Sequence, residues 1–384
     1  MILFWIQTAG ILTMWVPARW ALTAFQVAIL CLAAYRCVVR WRQGRGIGLD
    51  PSGITLTCII AWGAVQLAAG WTVDAFRTQE VMLDWTVNLA AFALALELSD
   101  RTRETFLTWM LAFATLLSIL AMLTAFSSPP GVIAWWLDVG TNTATLGPFV
   151  YRNQYAAFVE ALLPLALVRA FLDRERTWLY VVAAGLLFAS VIAAGSRTGA
   201  ALCLAEVLFI PLLMGRRGAW RAILGIATSV AALTLVAGWE PLYARFQEPN
   251  PYGLRWNLVQ SSLEMIKQKP LTGWGLGVWS EVYPGFALFD DGSFVNQAHS
   301  DWAQWTVEGG VPFLALVIFL LVRVLRPAWR SVWGLGIIIV FAHCLVDYPM
   351  QQRPALATFF FVMLGMVTQS SSLRSHLKSG PPTP

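Results

Sequence analysis

The sequence is poor in charged side chains, and this scarcity argues against a soluble protein. Charged residues make up 12% of the 384 residues, whereas 58% are hydrophobic. A soluble domain typically carries about 25% charged residues. With a mean hydropathy of +0.64, the chain could not stay monomeric in water, so we expect the lipid bilayer to be its solvent. The 20 tryptophans fit this setting, because tryptophan collects where an apolar phase meets water.

Cysteine and histidine are also scarce. The five cysteines fall in or at the ends of apolar runs and show no metal-type spacing, which argues against disulfides and metal sites. The glycine-rich run at 273–277 has no strand before it, so we interpret it as a turn rather than a nucleotide loop. We therefore predict no cofactor. The net charge of +5 sits mostly in short loops between apolar runs, so nucleic acid is not an expected partner.

Apolar runs recur along most of the chain. A helix needs about 20 apolar residues to cross a hydrocarbon core of ~30 Å. The candidate spans are 2–16, 19–39, 53–71, 80–98, 104–126, 153–172, 178–195, 198–214, 222–238, 300–322, 331–346 and 354–369. This pattern predicts an all-α polytopic membrane protein with about twelve transmembrane helices. We interpret the first as a short span rather than a removed signal peptide.

Basic residues indicate the orientation. Most arginines lie in short loops that share one side of the membrane, which predicts that both termini are cytoplasmic. The chain then divides into an N-terminal region of about nine spans (1–238), a large external loop (239–299), a C-terminal region of about three spans (300–369) and a disordered cytoplasmic tail (370–384). Arg323, Arg326 and Arg330 would lie in the inside loop between spans ten and eleven.

The large external loop is expected to contain one amphipathic helix. Trp256, Val259, Leu263 and Ile266 fall at helical spacing before Pro270. A helix lying in the membrane interface would bury that apolar face.

Chemically competent side chains cluster on the external side. The clusters are 147–155, 195–199, 255–277 and 299–310, with a further pair at the outer end of span eleven. The polar residues that they supply are Arg152, Asn153, Ser196, Arg197, Arg255, His299, Asp301, Glu308, His343 and Asp347.

Arg197 is the most informative of them. An arginine near the hydrocarbon region is costly and usually faces a bundle interior or an aqueous cavity. Because Arg152 and Arg255 share its side, we expect the three to face one anion, and a planar guanidinium suits a phosphate. Two alternatives are open: Arg197 snorkels to the interface, or acidic loop residues such as Asp290 and Asp291 are the anion.

The histidines divide into two kinds. His299 opens a span at the external face, where a neutral imidazole can accept a proton near pH 7; a solvated helix-start residue is the alternative. His343 is interpreted as structural, because Asp347 four residues later can hydrogen-bond it on one helical face.

The remaining carboxylates are interpreted conservatively. Glu308 pairs with an arginine or acts at the site. Asp290, Asp291 and Asp301 are typical oxygen ligands for a divalent ion, but a solvated acidic loop is the simpler interpretation.

Taken in order, these residues resemble the O-antigen ligase and polymerase superfamily of bacterial surface-glycan enzymes. Each piece alone is weak, but the ordered set is fairly specific, and the layout of spans with one large external loop covers nearly the whole chain. The matching pieces are residues 147–153, the Ser-Arg-Thr-Gly run at 196–199, Arg255 with Trp256, Pro270 and Leu271 with the glycines at 273, 275 and 277, and His299 followed by Glu308 and Gly309.

This resemblance implies a membrane glycosyltransferase fold (GT-C-like) in the bacterial inner membrane, with its active face in the periplasm. The donor would be a glycan on undecaprenyl diphosphate and the acceptor a glycan or lipid A-core, beside membrane lipid. It implies an inverting, metal-independent transfer in which arginines matching Arg197 and Arg255, with Arg152 beside them, hold the diphosphate. A histidine matching His299 would be the base.

The same resemblance leaves further roles and the subfamily open. Possible substrate-binding residues are Asn153, Ser196, Glu308, Asp301 and His343. The ligase branch is similar to a pattern in which His299, Ser300 and Gly310 fit, but Phe313 replaces the last glycine. Ligase and polymerase therefore both remain open.

Two other classes of function compete with the enzyme. A transporter or flippase of lipid-linked glycan predicts internal repeats and polar sites at the membrane midplane, whereas we find no repeat and the polar clusters favour one face. A non-catalytic partner in polysaccharide assembly would make His299 and each arginine individually dispensable.

Overall fold

The structure is almost entirely helical. A computed structural model describes residues 1–16, 18–44, 50–140, 144–215, 219–249, 253–289, 292 and 294–369. Its helices are α1 (Ile2–Thr13), α2 (Arg19–Arg42), α3 (Pro51–Ala68), α4 (Ala75–Leu96), α5 (Asp100–Ser127), α6 (Arg152–Glu160), α7 (Leu163–Leu172), α8 (Thr177–Ala193), α9 (Arg197–Met214), α10 (Ala219–Ala237), α11 (Glu240–Phe246), α12 (Gly253–Gln268), α13 (Trp279–Val282), α14 (Asp301–Ser331), α15 (Leu335–His343) and α16 (Pro354–Gln369). A 3₁₀ helix covers Tyr283–Phe286, and β1 (Val132–Ile133) pairs antiparallel with β2 (Leu137–Asp138).

Each of the twelve predicted spans coincides with a helix. Six of the described spans are long and apolar enough to cross a bilayer: α2, α3, α5, α6 together with α7, α9 and α14. A seventh results if α10 and α11, which meet at 90°, count as one. These helices confirm an all-α polytopic membrane protein, whereas the number twelve, the orientation, the four-part division and the GT-C-like fold stay predictions.

One prediction about the C-terminal region is wrong. The inside loop expected around Arg323, Arg326 and Arg330 is helical, because α14 continues without a loop to Ser331. Only nine residues then remain for α15, which rises about 14 Å, less than half of a ~30 Å hydrocarbon core. The segment after α15 therefore returns to the helix bundle early and carries Asp347 into its interior, where the side chain is 1% exposed.

The packing core follows from the apolar helices. The span formed by α6 and α7 is buried over most of its length, because α8, α9 and α15 surround it. On the other side of the bundle, α16 packs along α4. Phe158 on α6 contacts Phe359 on α16, with ring centroids 5.2 Å apart, so the central helices meet in one hydrophobic core.

Capping residues place two of the predicted site residues at helix starts. Ser196 accepts a hydrogen bond from the Gly199 amide at 3.1 Å and begins α9. Ser300 accepts one from the Ala303 amide at 3.3 Å and begins α14. Because a capping serine satisfies an otherwise unpaired helix amide, the polar breaks at these serines fix where Arg197 and His299 lie.

Helix α14 is kinked at Gly310, whose φ of +69° and ψ of −177° are not helical. A kink frees backbone carbonyls, and inside a membrane each of them needs a partner from the protein. The Gln66 amide donates to the Glu308 carbonyl at 2.8 Å, and the Trp62 indole donates to the Gly309 carbonyl at 2.8 Å. Side chains of α3 therefore supply hydrogen bonds to the backbone carbonyls that the kink leaves without a helical partner.

The glycine-rich run after α12 packs into the same kink. The amides of Trp274 and Gly275 donate to the carbonyls of Val307 and Glu308, both at 3.0 Å, and the Val311 amide donates back to Pro270 at 2.8 Å. The run consists of turns, which confirms the sequence interpretation. Gly273 allows the close backbone approach to α14, whereas Gly275 lies against Thr72 and Gly277 against α4.

The predicted amphipathic helix is present as α12, and its faces are now distinguishable. Trp256 and Leu263, on the predicted apolar face, are 60% and 48% exposed. The side chains that pack inward are Leu258, Ser261, Ser262 and Met265. The Ser262 hydroxyl accepts a hydrogen bond from the Trp279 indole at 3.1 Å. The apolar face is therefore only partly covered: Trp256 and Leu263 are exposed, whereas Val259 and Ile266 are half-buried and Ile266 packs against the core. Burial of this face in the membrane interface stays a prediction.

The kink predicts that Gly273→Ala destabilises the protein. Gly273 has a φ of +65°, and a Cβ there would lie 2.2 Å from the Glu308 carbonyl oxygen. We expect a loss of about 2–4 kcal/mol, measured as a lower melting temperature of the detergent-solubilised protein.

Two control substitutions separate the causes. Gly70 has a φ of +66°, and a Cβ added there would have no atom within 4 Å. Gly285 has an ordinary φ and equally open space for a Cβ. Gly70→Ala should lower the melting temperature slightly and Gly285→Ala hardly at all. If Gly273→Ala melts no lower than Gly70→Ala, the close packing of the run against α14 is refuted.

Candidate functional site

The carboxylate of Asp347 joins three separate parts of the chain. It follows α15 in the sequence and is 1% exposed. Oδ2 accepts hydrogen bonds from Asn153 at the start of α6 and from Arg255 on α12, the latter at 2.8 Å. Oδ1 accepts a hydrogen bond from the Tyr348 amide at 2.9 Å. A buried carboxylate needs such partners, so this one residue holds α6, α12 and the segment after α15 together.

Asn153 extends the network to α9. Its amide nitrogen donates to Asp347, and its amide oxygen accepts from the Ser196 hydroxyl at 2.8 Å. Both residues are buried. The two polar clusters predicted at 147–155 and 195–199 are therefore in direct contact.

Arg255 reaches the network from the large loop. Its guanidinium bonds the Asp347 carboxylate at 2.8 Å and the Val346 carbonyl at 3.0 Å. Burial lowers the pKa of Arg255, but Asp347 together with Tyr151 and Tyr348 outweighs this and raises the pKa above its ordinary value. The guanidinium thus stays charged, and α12 is anchored over the helix ends.

His299 lies beside this ion pair in an unusual backbone conformation. Its φ is +53°, which a side chain-bearing residue adopts only when its surroundings demand it. Nδ1 lies 3.5 Å from the Tyr151 hydroxyl, and the ring meets Tyr348 edge-on with centroids 4.8 Å apart. Tyr151 and Tyr348 are themselves stacked at 5.2 Å, so two aromatic rings fix the imidazole.

The imidazole of His299 is neutral at pH 7. Burial lowers its pKa to about 4, while Asp347 raises it and Arg255 lowers it further. Burial likewise raises the pKa of Tyr151 and Tyr348 above the ordinary value of a phenol. The two hydroxyls therefore stay protonated, and the histidine alone in this group can take up a proton.

Arg197 occupies the other side of the site, at the start of α9. It donates to the Arg245 carbonyl at 2.8 Å and lies 3.6 Å from the Glu248 carboxylate. Its side chain is 8% exposed, so snorkelling to the interface is wrong: the guanidinium points into protein. Glu248 also pairs with Arg245, which makes this part of the loop an arginine-carboxylate network.

Arg152, at the first turn of α6, links the two arginine groups. Arg245, Glu248 and Arg255 all lie close enough to interact with its charge. Within the described parts of the chain, it forms no hydrogen bond or ion pair of its own. Arg152 thus offers its guanidinium to a further anion.

The charges of this cluster do not balance. Four guanidinium groups face two carboxylates, which leaves an excess of two positive charges among the described residues. The members are Arg152, Arg197, Arg245, Arg255, Glu248 and Asp347. Such an excess at a partly buried surface attracts a polyanion.

The predicted partner of His343 is wrong. His343 is fully buried on α15, and its Nδ1 lies 2.8 Å from Oε1 of Glu160 on α6, while Asp347 faces Arg255 and Asn153. The sequence interpretation considered only the neighbour four residues on, and it missed a residue 183 positions away. His343 therefore does not face the cluster and joins α15 to α6.

Glu308 and Asp301 are also embedded in protein. Glu308 accepts from the Gln304 amide at 2.9 Å and, among the described residues, pairs with no arginine, so that predicted pairing is wrong. Asp301 accepts from the Met350 amide at 3.0 Å and is fully buried, which contradicts a solvated acidic loop at this position. Asp290 and Asp291 lie outside the described residues.

Sequence reasoning missed the aromatic walls and the second arginine group. Tyr151 lies in the stretch 147–155 but had no predicted role, and Tyr348, Arg245 and Glu248 had no predicted role at the site. One signal was present in the sequence: Asp347 and Tyr348 lie next to each other after span eleven, on the side that was predicted to be external, together with the other clusters.

The comparisons with known proteins concern this part of the chain. Residues 182–318 match the family model described as O-antigen ligase. No curated protein matches the sequence. The matched segment, about a third of the chain, runs from α8 into α14 and includes Arg197, Arg255 and His299. It confirms the resemblance to the O-antigen ligase and polymerase superfamily.

The neutral imidazole leads to a titration prediction. We expect His299 to titrate near pH 4, measured by NMR on protein with ¹⁵N-labelled histidine and assigned with His299→Gln. Asp347→Asn should shift this titration to lower pH, because the carboxylate raises the pKa of the imidazole. Asp138→Asn, on the exposed hairpin, should leave it unchanged. A titration at pH 6.5 or above would contradict the burial of His299.

Proposed function

We propose that this membrane protein, which carries the O-antigen ligase domain over residues 182–318, transfers a glycan from undecaprenyl diphosphate to an acceptor glycan or lipid A-core at the periplasmic face of the bacterial inner membrane. One observation carries the proposal: a neutral histidine lies beside the ion pair of Asp347 and Arg255, and Arg255 belongs to a cluster of arginines with excess positive charge.

The arginines suit the diphosphate of such a donor. A lipid-linked sugar diphosphate carries one negative charge per phosphate, and the described cluster holds more guanidinium groups than carboxylates. Arg152 is free to bind directly within the described network, and Arg197 and Arg255 would add planar donors to phosphate oxygens. Asn153 and Ser196 position these arginines by joining α6 to α9.

His299 suits the role of base. When Nδ1 carries the ring proton and faces Tyr151, Nε2 presents its lone pair to the acceptor. The acceptor hydroxyl oxygen attacks the anomeric carbon, its proton passes to Nε2, and the bond between that carbon and the diphosphate oxygen breaks. The leaving diphosphate keeps the electron pair, and its new charge lies against the arginines. Attack opposite the leaving group inverts the anomeric centre.

The donor itself would tune the base. A diphosphate held beside His299 favours the imidazolium form and raises the pKa of the imidazole from about 4. A base works best when its pKa lies near the working pH. Substrate binding would therefore activate the histidine, while Asp347 stabilises the imidazolium that forms.

Substitutions at the two sides of the site test the roles. His299→Ala should lower the rate of glycan transfer by about 10²–10⁴-fold, because the proton acceptor is lost. Arg255→Lys should also impair transfer, because an ammonium group lacks the planar fork. The readout is polymer or ligated glycan formed by membranes with equal amounts of protein.

Arg326→Ala is the matched control, since Arg326 is exposed near the far end of α14. It should leave transfer unchanged. Full-length surface glycan in cells carrying His299→Ala or Arg255→Ala would refute the assigned roles. Movement of labelled lipid-linked glycan across liposomes by purified protein, without a glycosidic bond formed, would favour the flippase instead.

Removing the chain distinguishes the two branches of the superfamily. A lost polymerase leaves a single glycan repeat on the outer lipid core, because ligation continues without polymerisation. A lost ligase leaves glycan on its undecaprenyl carrier. Gel analysis of lipopolysaccharide together with the lipid-linked pool measures both, and an unchanged pattern in both pools would contradict either role.

A further inference from the structure

A polar cleft of about 540 Å³ adjoins the site on the side away from the arginine cluster's helices. Its walls come from α2, α4, the turn before α13, and the segments on either side of the site, 294–304 and 351–354. The arginine cluster belongs instead to α6, α9, α11 and α12. The cleft and the cluster therefore have different walls, and Gln297 and Gln304 connect the cleft to the segment that carries His299.

The lining of the cleft is rich in side-chain amides. These are Gln26, Asn296, Gln297, Gln304, Gln351 and Gln352. Amides both donate and accept hydrogen bonds, as sugar hydroxyls do. The other large groove, about 480 Å³ between α1 and α2, is lined by Trp5, Trp20 and aliphatic residues and suits hydrocarbon instead.

The charges in the cleft are internally paired. Arg19 contacts Glu80, and Arg77 lies 3.3 Å from Glu80 and 3.5 Å from Glu281. The Gln26 amide donates to the Asp84 carboxylate at 2.7 Å. Carboxylates match the arginines here, so the cleft suits a hydroxyl-rich ligand better than a phosphate.

Two amide atoms on the wall lack partners. Gln297 Oε1 and Gln351 Nε2 are buried and have no hydrogen bond within the described residues. One is an acceptor without a donor and the other a donor without an acceptor. A buried polar atom in a native protein is normally satisfied. Neither amide loses a hydrogen bond when it turns toward the cleft, where a sugar hydroxyl can donate to Gln297 and accept from Gln351.

The same wall is continuous with the site. Gln297 lies two residues before His299, and Gln304 accepts a hydrogen bond from the Ala298 amide at 3.1 Å. At the other edge, Gln352 accepts from Gln154 at 3.3 Å, and Gln154 follows Asn153 in α6. A glycan in the cleft would therefore bring its end to the imidazole.

We propose that this cleft binds the acceptor glycan and that Gln297 and Gln351 hydrogen-bond its hydroxyls. The inference rests on the proposed glycosyl transfer, and it gives the two substrates separate sites: diphosphate on the arginines, acceptor sugar among the amides. Attack from the side opposite the leaving group requires such a separation.

Kinetics on the full chain in nanodiscs test the proposal. The acceptor is the oligosaccharide repeat released from the source organism's own surface glycan, and the donor is its lipid-linked form. We expect Gln297→Leu and Gln351→Leu each to raise the KM for acceptor about three- to tenfold, with kcat and the KM for donor unchanged. Neither amide makes a hydrogen bond in the described structure, so folding should survive.

Gln260→Leu and Gln268→Leu, on exposed positions of α12, are matched controls and should change neither constant. An unchanged KM for acceptor in both cleft variants overturns the proposal. So does a parallel rise in the KM for donor, because that indicates one shared site.

Direct binding separates this proposal from the catalytic one. Equilibrium dialysis of the radiolabelled oligosaccharide needs no turnover and is performed on the wild type, on His299→Ala and on the double variant at Gln297 and Gln351. At least tenfold weaker binding by the double variant alone supports the cleft. Equal binding by all three overturns it. If the wild type binds the oligosaccharide and the double variant does not, but the wild type forms no glycosidic bond, the result contradicts the proposed transfer and still supports the acceptor site.

Discussion

The buried carboxylate of Asp347 is the constraint on which the site depends. A carboxylate that is 1% exposed is stable as an anion only with several close donors, and Asn153, Arg255 and the Tyr348 amide supply them. These donors come from α6, α12 and the segment after α15. Satisfying one charge therefore sets the relative positions of three segments, and His299 receives its electrostatic environment as a consequence.

The kink in α14 imposes the same requirement on backbone groups, which also need hydrogen-bond partners when they are buried. Gly310 opens a turn of a helix that is otherwise long enough to span the membrane, and the freed carbonyls accept bonds from α3 and from the glycine-rich run. The run follows α12 directly, so α14 and α12 are connected at the kink. They are also connected through Asp347, whose side chain accepts from Arg255 and whose backbone carbonyl accepts from the Asp301 amide at 3.0 Å. The arginine on α12 and the histidine at the start of α14 are thus held by two independent connections, one polar and one made by backbone packing.

The sequence predicted helix positions well and partners poorly. Hydropathy located a helix at each of twelve runs, because apolar length is a local property. Charge distribution also predicted one shared side for Arg197, Arg255 and His299, and that this side is external stays a prediction. The pairing of side chains could not be predicted in this way. His343 contacts Glu160, which is 183 residues away in the sequence, whereas the predicted partner was Asp347, four residues after it. Likewise, α14 continues past Arg323 to Ser331 with Pro327 inside it, although the charge of that stretch suggested a loop.

The matched family segment ends at residue 318, and this limit separates two kinds of residue. Arg197, Arg255 and His299 lie inside it, whereas Asn153, Asp347 and most walls of the amide-lined cleft lie outside. Diphosphate chemistry is the same for every lipid-linked donor, while the acceptor sugar differs from one glycan to the next. Under the proposed transfer, the family segment would supply Arg197, Arg255 and His299, while the flanking helices would add Arg152 and most of the acceptor walls. Gln297 is the proposed acceptor contact that lies inside the family segment, so the division between the two substrates is partial. On that argument, the part of acceptor specificity that differs between relatives would lie in α2, α4 and the segment after α15.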